Sequence, residues 1–373
     1  MRRTLVVTND FPPRQGGIQT FVAALLARRP PESLVVLASD HPGSVEHDAR
    51  LPYPVVRRPT GVLLPTRATA RAAVDLVRRY GCDTAFFGAA APLGLLAPAL
   101  RAAGVRHLVG ATHGHETGWV ALPGARAAMR RIAAGLDVLT YISEYTGSRL
   151  TPVLGGRTRL AQLSPGVDVD AYTPAADGAA VRERYGLDGA TVVVCVSRLV
   201  ARKGQDVLVA GWPRVLDRHP GARLLLVGGG PAEASLRRAV TERGLAGSVV
   251  LTGPVPHVEL PEHYAAGDVF AMPCRTRRAG LDVEGLGMVY LEAAACGLPV
   301  VAGTSGGAPE AVDDGVTGHV VDPRSPSAVA TAIAGLLDDP ETARAMGAAG
   351  RSWVERRWSW TTIAATFADL LDG

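Results

Sequence analysis

Two glutamates, Glu284 and Glu292, stand eight positions apart in the stretch GLDVEGLGMVYLEAAACG, with Gly285 and Gly287 between them. Carboxylate pairs that flank one scissile bond lie about 5 to 9.5 Å apart. In one continuous helix, the 1.5 Å rise would separate these two backbones by about 12 Å, too far for that role. The glycines disfavour a helix interior, whereas MVYLEAAAC favours one. The pattern predicts a loop carrying Glu284, a helix starting near Gly287, and Glu292 inside that helix. The two carboxylates then touch two points of one long ligand. The backbone N–H groups of Gly285, Leu286, Gly287 and Met288 would lie at a helix N-terminus, which attracts anions. Beside an anion, Glu284 suits sugar hydroxyls better than phosphate, and Glu292 suits a ribose.

Charge of the opposite sign comes from Arg198 and Lys203 in SRLVARKGQD, which follows the apolar run TVVVCV. Two cations at a strand-to-helix junction can neutralise a diphosphate leaving group without a metal, or can simply be solvated. Lys203 is the only lysine among 39 basic residues, so a compact ammonium is either required there or survives by chance. Gly16 and Gly17, in TNDFPPRQGGIQTFV, open a helical segment after the first apolar run. A glycine pair there admits an anion to backbone N–H groups, or makes a plain turn. It is not GxGxxG, so nicotinamide cofactors are unsupported. In ATHGHETGW, His113 and His115 form an HxH pair without a third ligand of suitable spacing, and a hydrogen-bonding role is expected rather than metal binding.

These residues need elements to hold them. Short runs of Val, Ile and Leu alternate with Ala- and Leu-rich helical segments along 373 residues, the pattern of parallel sheets covered by helices. Six strands are expected in each half, from TLVVTN to VLTYIS and from TVVVCVSRL to GHVVD. The fold class is therefore α/β, with two Rossmann-like, doubly wound domains whose ligand lies beyond the carboxyl ends of the strands. Residues 1–166 form the first domain, 167–178 a proline- and glycine-bearing linker, and 179–352 the second domain. Residues 353–373, with tryptophans at 353, 358 and 360, read as a C-terminal helix that seals one domain or crosses to the other.

The net charge of +4 is too mild to imply nucleic acid, and aromatic residues for base stacking are few. Four cysteines without a CxxC pair read as buried free thiols in a reducing cytoplasm. The short apolar run at the N-terminus is too brief for a signal peptide, and no segment reads as a membrane span. Residues 57–79, RRPTGVLLPTRATARAAVDLVRR, carry six arginines and one acid. Such a segment can lie on anionic lipid, or be an ordinary exposed helix face.

The order Gly16-Gly17, Arg198-x4-Lys203, Glu284-x7-Glu292 and GGAPE at 306–310 resembles the family-4 retaining glycosyltransferases of the GT-B fold, whose two domains face each other across a cleft. TNDFPPRQGGIQ, ATHGHE and CRTRRAGLDVEGLGMVYLEA are similar to the actinobacterial members that use GDP-mannose to build phosphatidylinositol mannosides. The resemblance implies that Arg198, Lys203, Gly16 and Gly17 hold the diphosphate. It gives Glu284 and the amides of Gly285, Leu286, Gly287 and Met288 the mannose and β-phosphate, Glu292 the ribose, and His113 the 6-hydroxyl side of the sugar. Guanine is expected to meet backbone around Gly253 and Val255, and the acceptor to meet Gln19, Arg57 and Arg58. No metal and no cofactor is expected, and the implied place is the cytoplasmic face of an anionic membrane. DVD at 168–170 imitates the DxD of metal-dependent glycosyltransferases, but its linker setting reads as turn chemistry. The alternatives are a family-4 enzyme with another donor or acceptor, a non-catalytic nucleotide-sugar binder, and a scaffold that uses only the arginine-rich face.

Overall fold

The run VVVCV, Val192–Val196, is buried at every position, as only a strand covered on both faces can be. The same holds for TLVVT, Thr4–Thr8, in the first half. The computed structural model describes residues 3–114, 116–119, 122–156 and 158–373, and among these the side chains of Thr117, Trp119 and Ala279 are not described. The chain divides into two compact units, Met1–Pro165 with Thr361–Gly373, and Gly166–Trp360.

The first unit contains β1 (Thr4–Thr8), β2 (Leu34–Ser39), β3 (Val55–Arg58), β4 (Thr84–Phe87), β5 (His107–Ala111), β6 (Val138–Tyr141) and β7 (Arg159–Gln162). They form a parallel sheet in the order β3-β2-β1-β4-β5-β6-β7. The second unit contains β8 (Val192–Val196), β9 (Arg223–Val227), β10 (Val249–Gly253), β11 (Val269–Met272), β12 (Val300–Gly303) and β13 (Gly318–Val321). Its parallel sheet runs β10-β9-β8-β11-β12-β13. Each order reverses once, at β1/β4 and at β8/β11, and loops leaving the carboxyl ends of strands diverge there to leave a ligand crevice. Gly16 and Gly17 follow β1. Arg198 and Lys203 follow β8, Glu284 follows β11, and GGAPE follows β12.

All twelve expected strands are present, and β7 is an additional one. Its sequence RLAQ lies at a sheet edge with no residue fully buried, so it carries no apolar run to announce it. Two segmental expectations need correction. Residues 167–178 are no free linker, because Val167 and Tyr172 are buried in the core of the second unit. The Val167 N–H donates to the Trp358 carbonyl at 2.7 Å, and the Arg351 guanidinium donates to the carbonyls of Val169 and Tyr172. Residues 353–373 are not one helix either. Pro340–Arg357 ends and Trp360–Asp372 begins around Ser359, whose backbone pairs with Val167. Past Trp360 the chain belongs to the first unit, where Phe367 meets Phe86 at 4.9 Å between ring centres and the His107 ring donates to the Leu370 carbonyl.

Candidate active site

In the second unit the turn after β8 and the loop after β11 bring opposite charges together. Lys203 Nζ lies 2.8 Å from Glu284 Oε2, and both residues are more than nine-tenths buried. Arg202, which the sequence reading passed over, places Nε 3.5 Å from the same oxygen and Nη1 3.5 Å from Asp282 Oδ1. No aligned hydrogen bond reaches Glu284 Oε2, so charge rather than a directional bond holds it. Arg198 stands exposed at the end of β8. The Gln205 side chain donates to Ser197 Oγ at 2.8 Å and to the Arg198 carbonyl at 3.2 Å, which fixes the backbone beneath that guanidinium.

The loop after β12 frames Glu284 from behind. The Glu284 N–H donates to Ser305 Oγ at 3.1 Å and its carbonyl accepts from the Gly307 N–H at 3.0 Å. Gly306 has φ +55°, and a Cβ placed on it would lie 2.0 Å from the Glu284 carbonyl oxygen. GGAPE therefore works through its glycines, as a mould for Glu284. Gly306→Ala is expected to displace that carboxylate by a sizeable fraction of an ångström and to lower kcat/KM by about 10²-fold, measured as initial rates on protein whose far-UV spectrum matches wild type.

The helix Met288–Ala295 begins after Gly287, as its sequence predicts, and no side chain caps its first turn. Its N–H groups there have the orientation that suits an anion. Glu292 lies within that helix, half-buried, and its Oε2 accepts a 2.7 Å hydrogen bond from the Tyr264 hydroxyl. Burial raises the Glu292 carboxyl, opposed by the Tyr264 bond and by His257 and Lys203. Gly253, expected near the base, has a carbonyl that already accepts from the Gly228 N–H and from the Thr252 hydroxyl, which fills both its lone pairs. Val255 is half-buried in the turn that follows. The cysteines are all free and buried, and burial pushes the Cys195 thiol up to about 12 and the Cys274 thiol to about 11. Neither can supply a thiolate nucleophile near neutral pH.

In the first unit, Gly16 caps the helix Gly17–Leu26. A Cβ on Gly16 would lie 2.3 Å from Gln19 Oε1, so glycine is what allows the cap and that amide to coexist. Gln19 Nε2 donates to Asp10 Oδ1 at 2.8 Å, which makes Asp10 a neighbour the sequence did not single out. His113 packs edge-on against Phe21 of the same helix, with 5.9 Å between ring centres, and its Nε2 donates to the Gly88 carbonyl at 2.6 Å. His115 lies outside the described residues. Arg57, expected to meet the acceptor, is tied into its own unit by four of its five N–H donors. Its guanidinium forks onto both oxygens of Asp48 at 2.9 and 2.8 Å and donates to the carbonyls of Ser39 and Pro12. Arg58, half-buried at the end of β3, makes no such pairing.

Known proteins match this arrangement in both halves. The model described as Glycosyltransferase Family 4 matches residues 15–171, and that described as Glycosyl transferases group 1 matches residues 179–353. A GDP-mannose-dependent alpha-(1-6)-phosphatidylinositol monomannoside mannosyltransferase of Mycolicibacterium smegmatis is 52% identical over 99% of this chain and 98% of its own length. A Corynebacterium glutamicum protein, described as a GDP-mannose-dependent monoacylated alpha-(1-6)-phosphatidylinositol monomannoside mannosyltransferase, is 47% identical over 99% of this chain and 98% of its own. Among solved structures, Anabaena HepE in complex with UDP superposes with a TM-score of 0.80 over the whole of both chains at 21% identity, a likeness of fold. At such identity along nearly the full length of its relatives, the chain belongs to the family-4 glycosyltransferases of the GT-B fold.

Proposed function

We propose that the chain transfers mannose from GDP-mannose to a phosphatidylinositol monomannoside, in α-(1-6) linkage and with retained configuration. The relatives at 52% and 47% identity, covering both units, support this donor and acceptor. The observation that carries the chemistry is the buried Lys203–Glu284 pair beside an uncapped helix N-terminus. An ammonium has three N–H donors. Since charge rather than an aligned hydrogen bond holds Lys203 to Glu284, its donors are left for oxygens of the diphosphate, with Arg198 as a second cation. Glu284, set beside Lys203 and Arg202, accepts hydrogen bonds from mannose hydroxyls. Glu292 accepts from the ribose.

In the reaction, the bond from C1 of mannose to the β-phosphate oxygen breaks, and a bond from C1 to the acceptor oxygen forms on the same face. The acceptor's hydroxyl proton passes to the departing phosphate oxygen, and GDP leaves. Lys203, Arg198 and the helix amides offset the charge that grows on that phosphate, the work a divalent metal does elsewhere.

The acceptor lipid requires access to a membrane surface. Among the described residues no helix is long and apolar enough to cross a membrane. The helix Arg67–Tyr80 turns Ala73, Leu76 and Val77 inward, so its apolar face belongs to the unit's core. What remains for lipid is the loop before it, with Val62 and Leu64 more than half exposed, and the exposed Arg67, Arg71, Arg78 and Arg79. We assign the contact with anionic phospholipid to this patch.

One experiment covers the reading. Radiolabelled GDP-mannose is incubated with phosphatidylinositol monomannoside in vesicles of anionic or of zwitterionic phospholipid, with and without EDTA, and products are identified by mass spectrometry. A dimannoside should form in the presence of EDTA, faster on anionic vesicles. Transfer from a UDP-sugar instead would overturn the donor assignment, and activity lost to EDTA and restored by Mn²⁺ would overturn the metal-free chemistry.

A further inference from the structure

Glu292 has two carboxylate oxygens, and the protein already claims one of them. Its Oε2 accepts the 2.7 Å bond from Tyr264, which lies in the helix Leu260–Ala265 and is fully buried. The Tyr264 ring is wedged between Phe270 and Tyr172, each 5.7 Å away between ring centres. A fully buried ring packed so is held in place by the core, and its hydroxyl oxygen with it. With Oε2 held, Oε1 is the oxygen left to receive a ligand. Tyr172 cannot share the task, since its own hydroxyl is buried without a hydrogen-bond partner.

We infer that Tyr264 is a positioning residue for nucleoside recognition: its hydroxyl orients the Glu292 carboxylate and keeps it an acceptor for the ribose diol of the nucleotide-sugar donor. This rests on the reading of Glu292 as the ribose grip.

The electrostatics around Glu292 give the hydroxyl a second duty. The groups facing it are the phenols of Tyr264 and Tyr172, the Cys296 thiol, His257 and Lys203, with Arg351 near Cys296. Burial drives the carboxyl towards its protonated form, and the Tyr264 bond is the foremost opposing influence. A protonated carboxyl has turned one acceptor position into a donor and matches a diol poorly. Without the hydroxyl, Glu292 should hold its proton to higher pH. The accepting form prevails above the carboxyl pKa, so donor affinity in Tyr264→Phe should improve as pH rises through a range where wild type is flat.

The test is steady-state kinetics of wild type, Tyr264→Phe, Glu292→Gln and the double variant, between about pH 6 and 9, together with calorimetric titration of GDP. Tyr264→Phe should raise the donor KM and the GDP dissociation constant by about tenfold near neutral pH, the loss of one hydrogen bond to a charged group. kcat and the acceptor KM should stay near wild type, and the donor KM should fall with rising pH. Glu292→Gln should have a raised but pH-independent donor KM, and adding Tyr264→Phe to it should change nothing further. An unchanged donor KM in Tyr264→Phe, a pH-independent rise, or additive effects in the double variant would each overturn the inference. Should Tyr264→Phe not fold, the profiles are extended to lower pH: a wild-type donor KM that climbs only below the range in which it is flat, while that of Glu292→Gln stays level throughout, supports it, and parallel profiles overturn it. If wild type neither binds GDP nor turns over GDP-mannose, the proposed function falls first and takes this inference with it.

Discussion

Lys203→Ala is expected to lower kcat/KM for GDP-mannose by about 10³-fold or more, the scale of removing a preorganised charge that faces a leaving group. The ammonium is 2.8 Å from Glu284 Oε2 and almost fully buried. Its removal leaves a buried carboxylate whose nearest remaining cation is Arg202 at 3.5 Å. Breaking a buried pair from one side costs about 3 to 5 kcal/mol of stability unless the orphaned group neutralises itself. The variant should therefore fold, melt at a lower temperature, and fail in turnover. Lys203→Arg is the informative companion. It restores the charge, but a planar guanidinium on a longer reach does not place its donors where a compact ammonium does. It should recover part of the melting temperature and little of the rate. A Lys203→Ala enzyme within tenfold of wild type would remove the lysine from the chemistry.

The sheets were legible because strands of a parallel sheet are buried on both faces and so appear as unbroken apolar runs. β7 escaped because an edge strand reading RLAQ has no such run. The segment 167–178 was misjudged for a related reason. Its two anchors, Val167 and Tyr172, are isolated apolar residues without period, and what fastens them lies far along the chain, with Arg351 reaching Val169 across 182 positions. Glu284, Lys203 and Glu292 were legible as residues, since carboxylates beside glycines and a solitary lysine draw the eye in the sequence. Their mutual arrangement was not. That Lys203 and Glu284 pair with each other follows from β8 lying beside β11, which places the two following loops side by side. Arg57 shows the same limit, since nothing in the basic segment announces that Asp48, nine positions upstream, accepts from its fork. Tyr264 gave no signal at all, because a tyrosine on a short helix acquires meaning only when the fold carries it to Glu292.

Glu284→Gln should separate binding from chemistry. The amide keeps the size of the carboxylate and one carbonyl acceptor, but removes the charge opposite Lys203. Freed from that attraction, the Lys203 ammonium can turn all its donors to phosphate, so the dissociation constant of GDP should stay level or tighten. The rate should nonetheless fall by about 10²- to 10³-fold, because the mannosyl group loses a charged acceptor that fixes it against the attacking hydroxyl. Binding would then be kept or tightened while turnover falls, a split that a merely structural glutamate would not produce. Stability supplies the second half of the argument. Lys203→Ala leaves one buried charge unpaired and Glu284→Gln leaves the other, whereas the double variant leaves neither. The double variant should therefore melt above Lys203→Ala, with a coupling energy of about 0.5 to 3 kcal/mol in a double-mutant cycle, while remaining inactive. Additive losses of stability would mean that the 2.8 Å contact carries no coupling. Tighter GDP binding, lost turnover and recovered stability together would fix the pair as one unit, in which Glu284 restrains the cation that meets the phosphate and Lys203 anchors the carboxylate that meets the sugar.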